Sequence, residues 1–125
     1  MTSALPFLHP GIFDDEIAST IEPVLIEFTA PWCAPCRLME ATLDEVAVEL
    51  TGRVRIAKVD IDHHPQLAAQ FAVEGVPTYI AFKASRPVKR LVGARPKTQL
   101  LDELAALIPQ AQRPHGAVSI TLSDR

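Results

Sequence analysis

The sequence predicts an α/β domain built on a mixed sheet. Three observations carry this. Short apolar, β-branched runs alternate with amphipathic helical stretches, which implies a parallel core with right-handed crossovers. Two later runs, Thr78 to Lys83 and Val88 to Val92, are separated only by Ala84-Ser85-Arg86-Pro87, which favours an antiparallel hairpin at one edge. The chain has 125 residues, 48% hydrophobic and 22% charged, which is ordinary for one globular domain. A chain of that size buries roughly two thirds of its unfolded surface and needs no staples.

The elements follow in order. Residues 1–10 contain Pro6 and Pro10 and read as irregular, with a short edge strand at Leu5 to Leu8 as the alternative. Ile12 to Ile21 reads as a short helix, with Asp14, Asp15 and Glu16 near its positive end. Pro23 ends that pattern. Val24 to Thr29 looks like a strand buried on both faces. Cys33 to Leu50 reads as a helix, because Met39, Leu43, Val46 and Leu50 form one stripe. Its acidic residues Glu40, Asp44, Glu45 and Glu49 form a solvated face, and Gly52 is a candidate C-terminal cap. Val54 to Ile61 reads as a strand, and Pro65 to Ala72 as a helix opened by proline. Thr98 to Ile108 is the last helix. Pro109, Pro114 and Gly116 then mark a break, so residues 1–110 form the domain and 111–125 an extension. In that extension Val118, Ile120 and Leu122 alternate with polar residues, a pattern suited to covering a sheet edge in this chain or a partner, with a frayed tail as the alternative.

Charge and composition exclude several functions. A net charge of -3 gives no basic face for nucleic acid. No apolar run approaches the roughly 20 residues of a membrane-spanning helix. Met1 to Pro10 has no Lys or Arg and no long apolar stretch, so it is not read as a secretory signal, and a cytoplasmic location is expected.

The two cysteines, Cys33 and Cys36, are the chain's only ones and sit three apart. That spacing is too short to staple a fold, so it points to chemistry. They follow a buried strand and open a helix, where unpaired N–H groups and the helix dipole favour thiolate. One helical turn lets the second sulfur reach the first and release a mixed disulfide. Zinc is the rival reading of CxxC, but it needs four ligands. No second Cys pair exists, and the adjacent His63 and His64 lie beyond the next strand. No metal and no cofactor are expected. His9, His63, His64 and His115 are taken as surface residues.

Glu27 is the one ionisable residue in an otherwise apolar strand and shares a face with Leu25 and Thr29. A buried carboxylate tends to a raised pKa. Lys58 in the next strand can meet it, either in a structural ion pair or beside a carboxyl that handles protons.

Over residues 12–108 the sequence resembles the thioredoxin family. The resemblance rests on Phe13, Val24 to Phe28, Ala30, Trp32 and the Cys pair, followed by Leu43-Asp44-Glu45 and Ala57 to Asp62. It continues with Gly75-Val76-Pro77-Thr78, Phe82-Lys83 and Val92-Gly93-Ala94. It implies a thioredoxin fold, a central mixed sheet of four to five strands flanked by helices on both faces. It implies a protein-disulfide reductase in which Cys33 is the exposed nucleophile and Cys36, more buried, resolves. Trp32, Ala34, Pro35, Val76 and Gly93 would face substrate. The Val76–Pro77 bond would be cis, against about 5–6% of X–Pro bonds in general, and would present Val76 backbone groups to an extended segment. Thioredoxins keep an Asp where Glu27 stands, and it is read as a proton acceptor for the buried cysteine. The implied partners are protein disulfides and a flavin-dependent reductase or another dithiol donor.

Three departures stand out: Ala34-Pro35 replaces Gly-Pro, Thr29 replaces an aromatic residue, and Ala41 replaces a helix proline. The residues between the cysteines tune the potential, which in such proteins spans about -270 to about -120 mV. Two rivals therefore stand: a disulfide isomerase or oxidant, and a non-enzymatic binding module or chaperone.

Overall fold

The computed structural model describes residues 5–18 and 21–108. The elements are α1 (Pro10–Ala18), β1 (Val24–Thr29), α2 (Ala34–Glu49), β2 (Arg55–Asp60), α3 (Pro65–Gln70), β3 (Thr78–Lys83), β4 (Arg86–Val92) and α4 (Lys97–Ala105). The strands form one sheet in the order β2-β1-β3-β4. β1 pairs with β2 in parallel and with β3 antiparallel, and β4 closes the far edge antiparallel to β3. This is the mixed α/β sheet expected from the alternation of elements. The extension at 111–125, and the strand suggested within it, lie outside the described residues.

Strand parity sorts the core. Val24, Ile26 and Phe28 of β1 join Ala57, Val59, Ile80 and Phe82 against Phe13 and Ile17 of α1. Leu25, Ile56, Tyr79 and Ala81 face the other way, against α2 and α4 through Met39, Leu43, Val46, Leu100 and Leu104. All six residues of β1 are buried, as a central strand covered on both faces requires.

The structure corrects several boundaries. α1 begins at Pro10, two residues before the expected start, because proline is pre-set for the first helical position. Its first turn carries no acid, so Asp14, Asp15 and Glu16 lie too far along to meet the helix dipole. α2 starts at Ala34, with Cys33 as its N-cap, and Leu50 caps it by donating its N–H to the Val46 carbonyl at 2.9 Å. Gly52 takes φ +83° in the turn beyond that cap, a left-handed conformation glycine adopts freely.

The hairpin is tighter than expected. Ala84 and Ser85 alone form the turn, both with positive φ, and Arg86 pairs with Lys83. Two positive φ values give the turn twist that matches a two-residue hairpin. Pro87 therefore lies inside β4, at a register shift, on an edge strand that tolerates its missing N–H. At the opposite edge, Leu8 donates its N–H to the Lys58 carbonyl at 2.8 Å, and Lys58 donates its own to the Pro6 carbonyl at 2.9 Å. The edge-strand alternative for Leu5 to Leu8 thus survives as a single parallel bridge, Phe7 to Lys58.

Candidate active site

The site lies where β1 runs out and α2 begins. Cys33 and Cys36 are joined in a disulfide with Cα atoms 5.3 Å apart. The Cys36 N–H donates to Cys33 Sγ at 3.2 Å, so the first sulfur occupies the capping position of α2. A sulfur placed there meets the unpaired N–H groups and the positive dipole end, which stabilise a thiolate once the bond is reduced. Pro35 stands in the first turn, where its missing N–H costs nothing.

Both cysteines are buried: Cys33 is 3% exposed and Cys36 2%. The expectation of an exposed Cys33 is corrected. Ala30, Ile61 and Val76 pack around the disulfide-linked pair. Trp32, in contrast, is 64% exposed, and its indole Nε1 donates to both oxygens of Asp62 at 3.1–3.2 Å. Ala34 and Pro35 are also exposed.

The loop before β3 completes the site. The Val76–Pro77 bond is cis, and Val76, half-buried, packs on the cysteines. The Thr78 hydroxyl donates to the Gly75 carbonyl at 2.6 Å, which closes this loop. From β4's end, the Gly93 N–H donates to the Pro77 carbonyl at 2.8 Å. Gly93 has φ +97°, yet a Cβ there would meet nothing within 4 Å. Backbone conformation, not crowding, calls for glycine. Arg95 fixes this corner by donating from Nη2 to the Val92 carbonyl at 2.8 Å and from Nη1 to both Glu103 oxygens at 3.0 Å.

Glu27 is fully buried, in register with Lys58 on one side and Tyr79 on the other. The Tyr79 hydroxyl donates to Glu27 Oε2 at 2.9 Å, while Oε1 has no hydrogen-bond partner among the described residues. Burial pushes the carboxyl up from 4.5 to about 7. The Tyr79 hydrogen bond and the Lys58 charge pull against that rise, and the charge of Glu40 adds to it. Tyr79 is itself pushed up, by burial first and then by Glu27. The Lys58 ammonium lies 4.8 Å over the Phe7 ring, and no ion pair closes between Lys58 and Glu27 among the described residues.

The structure thus gathers Cys33, Cys36, Trp32, Ala34, Pro35, Val76, Pro77 and Gly93 at one end of the sheet. Glu27 and Lys58 lie on the sheet face beneath α2. Sequence reasoning missed Tyr79, Asp62, Arg95 and Glu40. Parity alone could have found Tyr79, since alternation along β3 sets it on the face of Ala81, opposite Ile80 and Phe82. Among the described residues, no group of three or more His, Cys, Asp or Glu is arranged to hold a metal, and no helix is long and apolar enough to cross a membrane.

Comparison with known proteins agrees with this geometry. The thioredoxin family model matches residues 5–106. The chain is 42% identical over 97 residues to a thioredoxin of Mycobacterium tuberculosis, covering 78% of this chain and 84% of that protein. It is 40% identical over 102 residues to thioredoxin 1 of a Nostoc species, covering 82% and 95%. A bifunctional thioredoxin reductase/thioredoxin of Mycobacterium leprae is 40% identical over 97 residues, 78% of this chain and 21% of that longer protein. With a disulfide-linked Cys pair capping α2 and a family match across nearly all described residues, the chain belongs to the thioredoxin family and is a thiol–disulfide oxidoreductase, a protein-disulfide reductase cycling through Cys33 and Cys36.

Proposed function

We propose that Cys33 is the attacking thiolate and Cys36 the resolving thiol. The observation that carries this is the capping position of Cys33 Sγ, which takes the Cys36 N–H at the positive end of α2. Cys33 Sγ attacks a substrate disulfide, forms a mixed disulfide and expels one substrate thiolate. Cys36 then loses its proton and attacks Cys33 Sγ. The substrate leaves as its second thiolate, which takes a proton from solvent. Two electrons pass from the cysteine pair to the substrate disulfide.

Trp32, Ala34, Pro35, Val76 and Gly93 form the docking surface, and Pro77 holds Val76 against the sulfurs. Free backbone groups of Val76 would pair with an extended segment of the substrate, as in strand addition. Glu27, with Lys58 moderating it, accepts the Cys36 proton, since a carboxyl near 7 is matched to transfer at neutral pH.

The electron donor would be a flavin-dependent reductase or another dithiol, a reading supported by the fused reductase and thioredoxin of Mycobacterium leprae. Such a role places the protein in cellular electron transport and redox homeostasis. A cytoplasmic location fits a chain whose two cysteines are both spent on one redox pair. Residues 1–110 act as the catalytic domain, and 111–125 as an appendage to it.

Reduction of insulin disulfides with a supplied dithiol tests the activity. Wild type should turn over, and Cys33→Ser should not. Cys36→Ser should accumulate a mixed disulfide visible by mass spectrometry. The absence of that adduct would overturn the resolving role. Thiolate absorbance in the ultraviolet should titrate below the free-thiol value of about 8.5 in wild type and lose that lowest step in Cys33→Ser.

A further inference from the structure

Charge is segregated along this chain. The formal net charge is -3, yet residues 83–90 hold Lys83, Arg86, Lys89 and Arg90, and residues 75–101 contain no acid. Lys89 is half-buried and the other three cations are exposed. Arg95 is paired with Glu103, and Lys97 with Glu45 and Glu49, but the four cations of the hairpin close no ion pair among the described residues. They lie on and beside β4, the edge strand, where Val88 and Val92 are 47% and 64% exposed. Leu91 packs into the α2 and α4 face, so Arg90 and Val92 turn the other way. There Arg90 Nη2 donates to the Phe71 carbonyl, at the end of α3. Val92 pairs with Thr78, and the next residue, Gly93, bonds the Pro77 carbonyl, so the row ends beside the loop that packs on the cysteines.

We propose that this row is a docking surface for an acidic segment of the protein-disulfide substrate, lying along β4 while the disulfide sits at the cysteines. The proposal rests on the reading of Cys33 as the attacking thiolate. Edge strands are also protected from stray pairing by Lys and Pro. Pro87 and the register shift between Ala81 and Phe82 already interrupt this edge, and Arg95 occupies the Val92 carbonyl. Protection is indifferent to the sign of the charge and does not call for exposed valines. Cations of one sign around apolar side chains match a protein interface, apolar at its centre and polar at its rim. The interrupted edge means that side chains hold the segment, carboxylates on the cations and small apolar groups on Val88 and Val92. A chain of net charge -3 repels acidic proteins in general. The row is where such a substrate can approach, which raises the encounter rate and turns it toward the cysteines. A nucleic acid would meet the same cations, but the net charge repels a polyanion and the valines offer it nothing.

The test uses the reduced full chain and three disulfide-bonded peptides, identical except for a ten-residue arm in which Ala alternates with Glu, Gln or Lys. Ten residues outreach β4, whose seven advance about 3.3 Å each. The second-order rate of oxidation is followed by the fluorescence of Trp32, the chain's one tryptophan. At low ionic strength the Glu arm should react about tenfold faster than the Gln arm, and the Lys arm slowest. The three should converge in 1 M salt, where the Debye length is about 3 Å. Combining Lys83→Glu, Arg86→Glu and Lys89→Glu should invert the order, while uncharged dithiodipyridine reacts at the wild-type rate. Arg90 stays in place because it holds the Phe71 carbonyl. If that variant fails to fold, Gln at the same three positions should level the arms. A wild type that reduces all three arms alike, or a Glu-arm advantage that survives charge reversal, would overturn the docking surface and leave the cysteine chemistry intact. Binding of a single-stranded oligonucleotide that charge reversal abolishes, with no Glu-arm advantage, would overturn it in favour of nucleic acid. A reduced wild type that reacts with neither the peptides nor dithiodipyridine would overturn the role of Cys33 and the docking surface with it.

Discussion

The two faces of the sheet share every strand but not their chemistry. On the α1 and α3 face, Phe13, Phe71 and Phe82 meet ring to ring at 5.4–5.8 Å, and Phe28 joins Phe71 at 6.1 Å. On the α2 and α4 face, strand parity turns Glu27, Thr29 and Lys58 inward among Leu25, Ile56 and Tyr79. The aromatic face contributes stability through apolar area and ring geometry. The opposite face keeps an acid at a cost in stability, beneath the helix that carries the cysteines. A one-residue slip in strand register would exchange the two, so the alternation itself decides which helices cover the ionisable groups.

That contrast is broken most severely on the aromatic side. Phe82→Ala empties a fully buried site that two other rings line. A loss of about 3–5 kcal/mol is expected from chemical denaturation. Thiol exchange by the folded fraction should be unaffected, because no ring of this cluster touches the sulfurs. A proportional fall in exchange rate would show that the faces are not independent.

On the polar side the expected change is of opposite sign and depends on pH. The Glu27 carboxyl titrates near 4.5 in the unfolded chain and about 7 in the folded one, so the native protein holds a proton that the unfolded chain releases. Stability is therefore full below pH 4.5, falls as pH rises to about 7 and is level above. Glu27→Gln removes that decline. It should match wild type at low pH and exceed it above pH 7, by up to about 3 kcal/mol. Lys58, left without an opposing charge, holds the gain below that ceiling. Exchange at neutral pH should slow in the same variant. An unchanged rate with lost stability would make Glu27 half of a structural pair and end its role with protons.

Tyr79→Phe sharpens the same comparison by a smaller amount. The hydroxyl lowers the Glu27 pKa, so its removal should move the stability midpoint to higher pH. Denaturation above pH 7, where the lost bond is to a charged oxygen, should show a cost of about 1–3 kcal/mol. At pH 5 the cost should be smaller, because the carboxyl is then protonated in the folded protein.

How much of this was visible in the chain depends on the range of the interaction. Strand and helix order followed from apolar spacing, and the cysteines, Val76–Pro77 and Gly93 from motifs, all local signals. Glu27 stood out because a charge in an apolar run is conspicuous. Its partner Tyr79 lies 52 residues away and was named only when the strands were paired. The two-residue turn at Ala84 and Ser85 was hidden because neither residue is the Gly or Asn usual at positive φ. The burial of Cys33 was hidden because it depends on Ile61 and Val76, contributed by two other loops.

Arg95 gives the mildest test, and it concerns the edge where both faces end. Its guanidinium spans a bidentate pair to Glu103 on α4 and the Val92 carbonyl at the end of β4. The next residue, Gly93, bonds the Pro77 carbonyl, so Arg95 braces the loop that flanks the cysteines without touching them. Lysine keeps the charge but not the planar fork, and reaches one of these oxygens at a time. Arg95→Lys should cost about 1 kcal/mol in stability, since it keeps the charge but loses part of a hydrogen-bond set whose side chains are only 11% and 23% exposed. Its effect should fall on substrates that lie along the Val76 and Gly93 backbone. KM for insulin should rise about two- to fivefold, a loss of order 0.5–1 kcal/mol in binding. The maximal rate and the reaction with a small aryl disulfide should hold. Equal losses on both substrates would mean that Arg95 supports the cysteine helix itself, through α4, and not the docking edge.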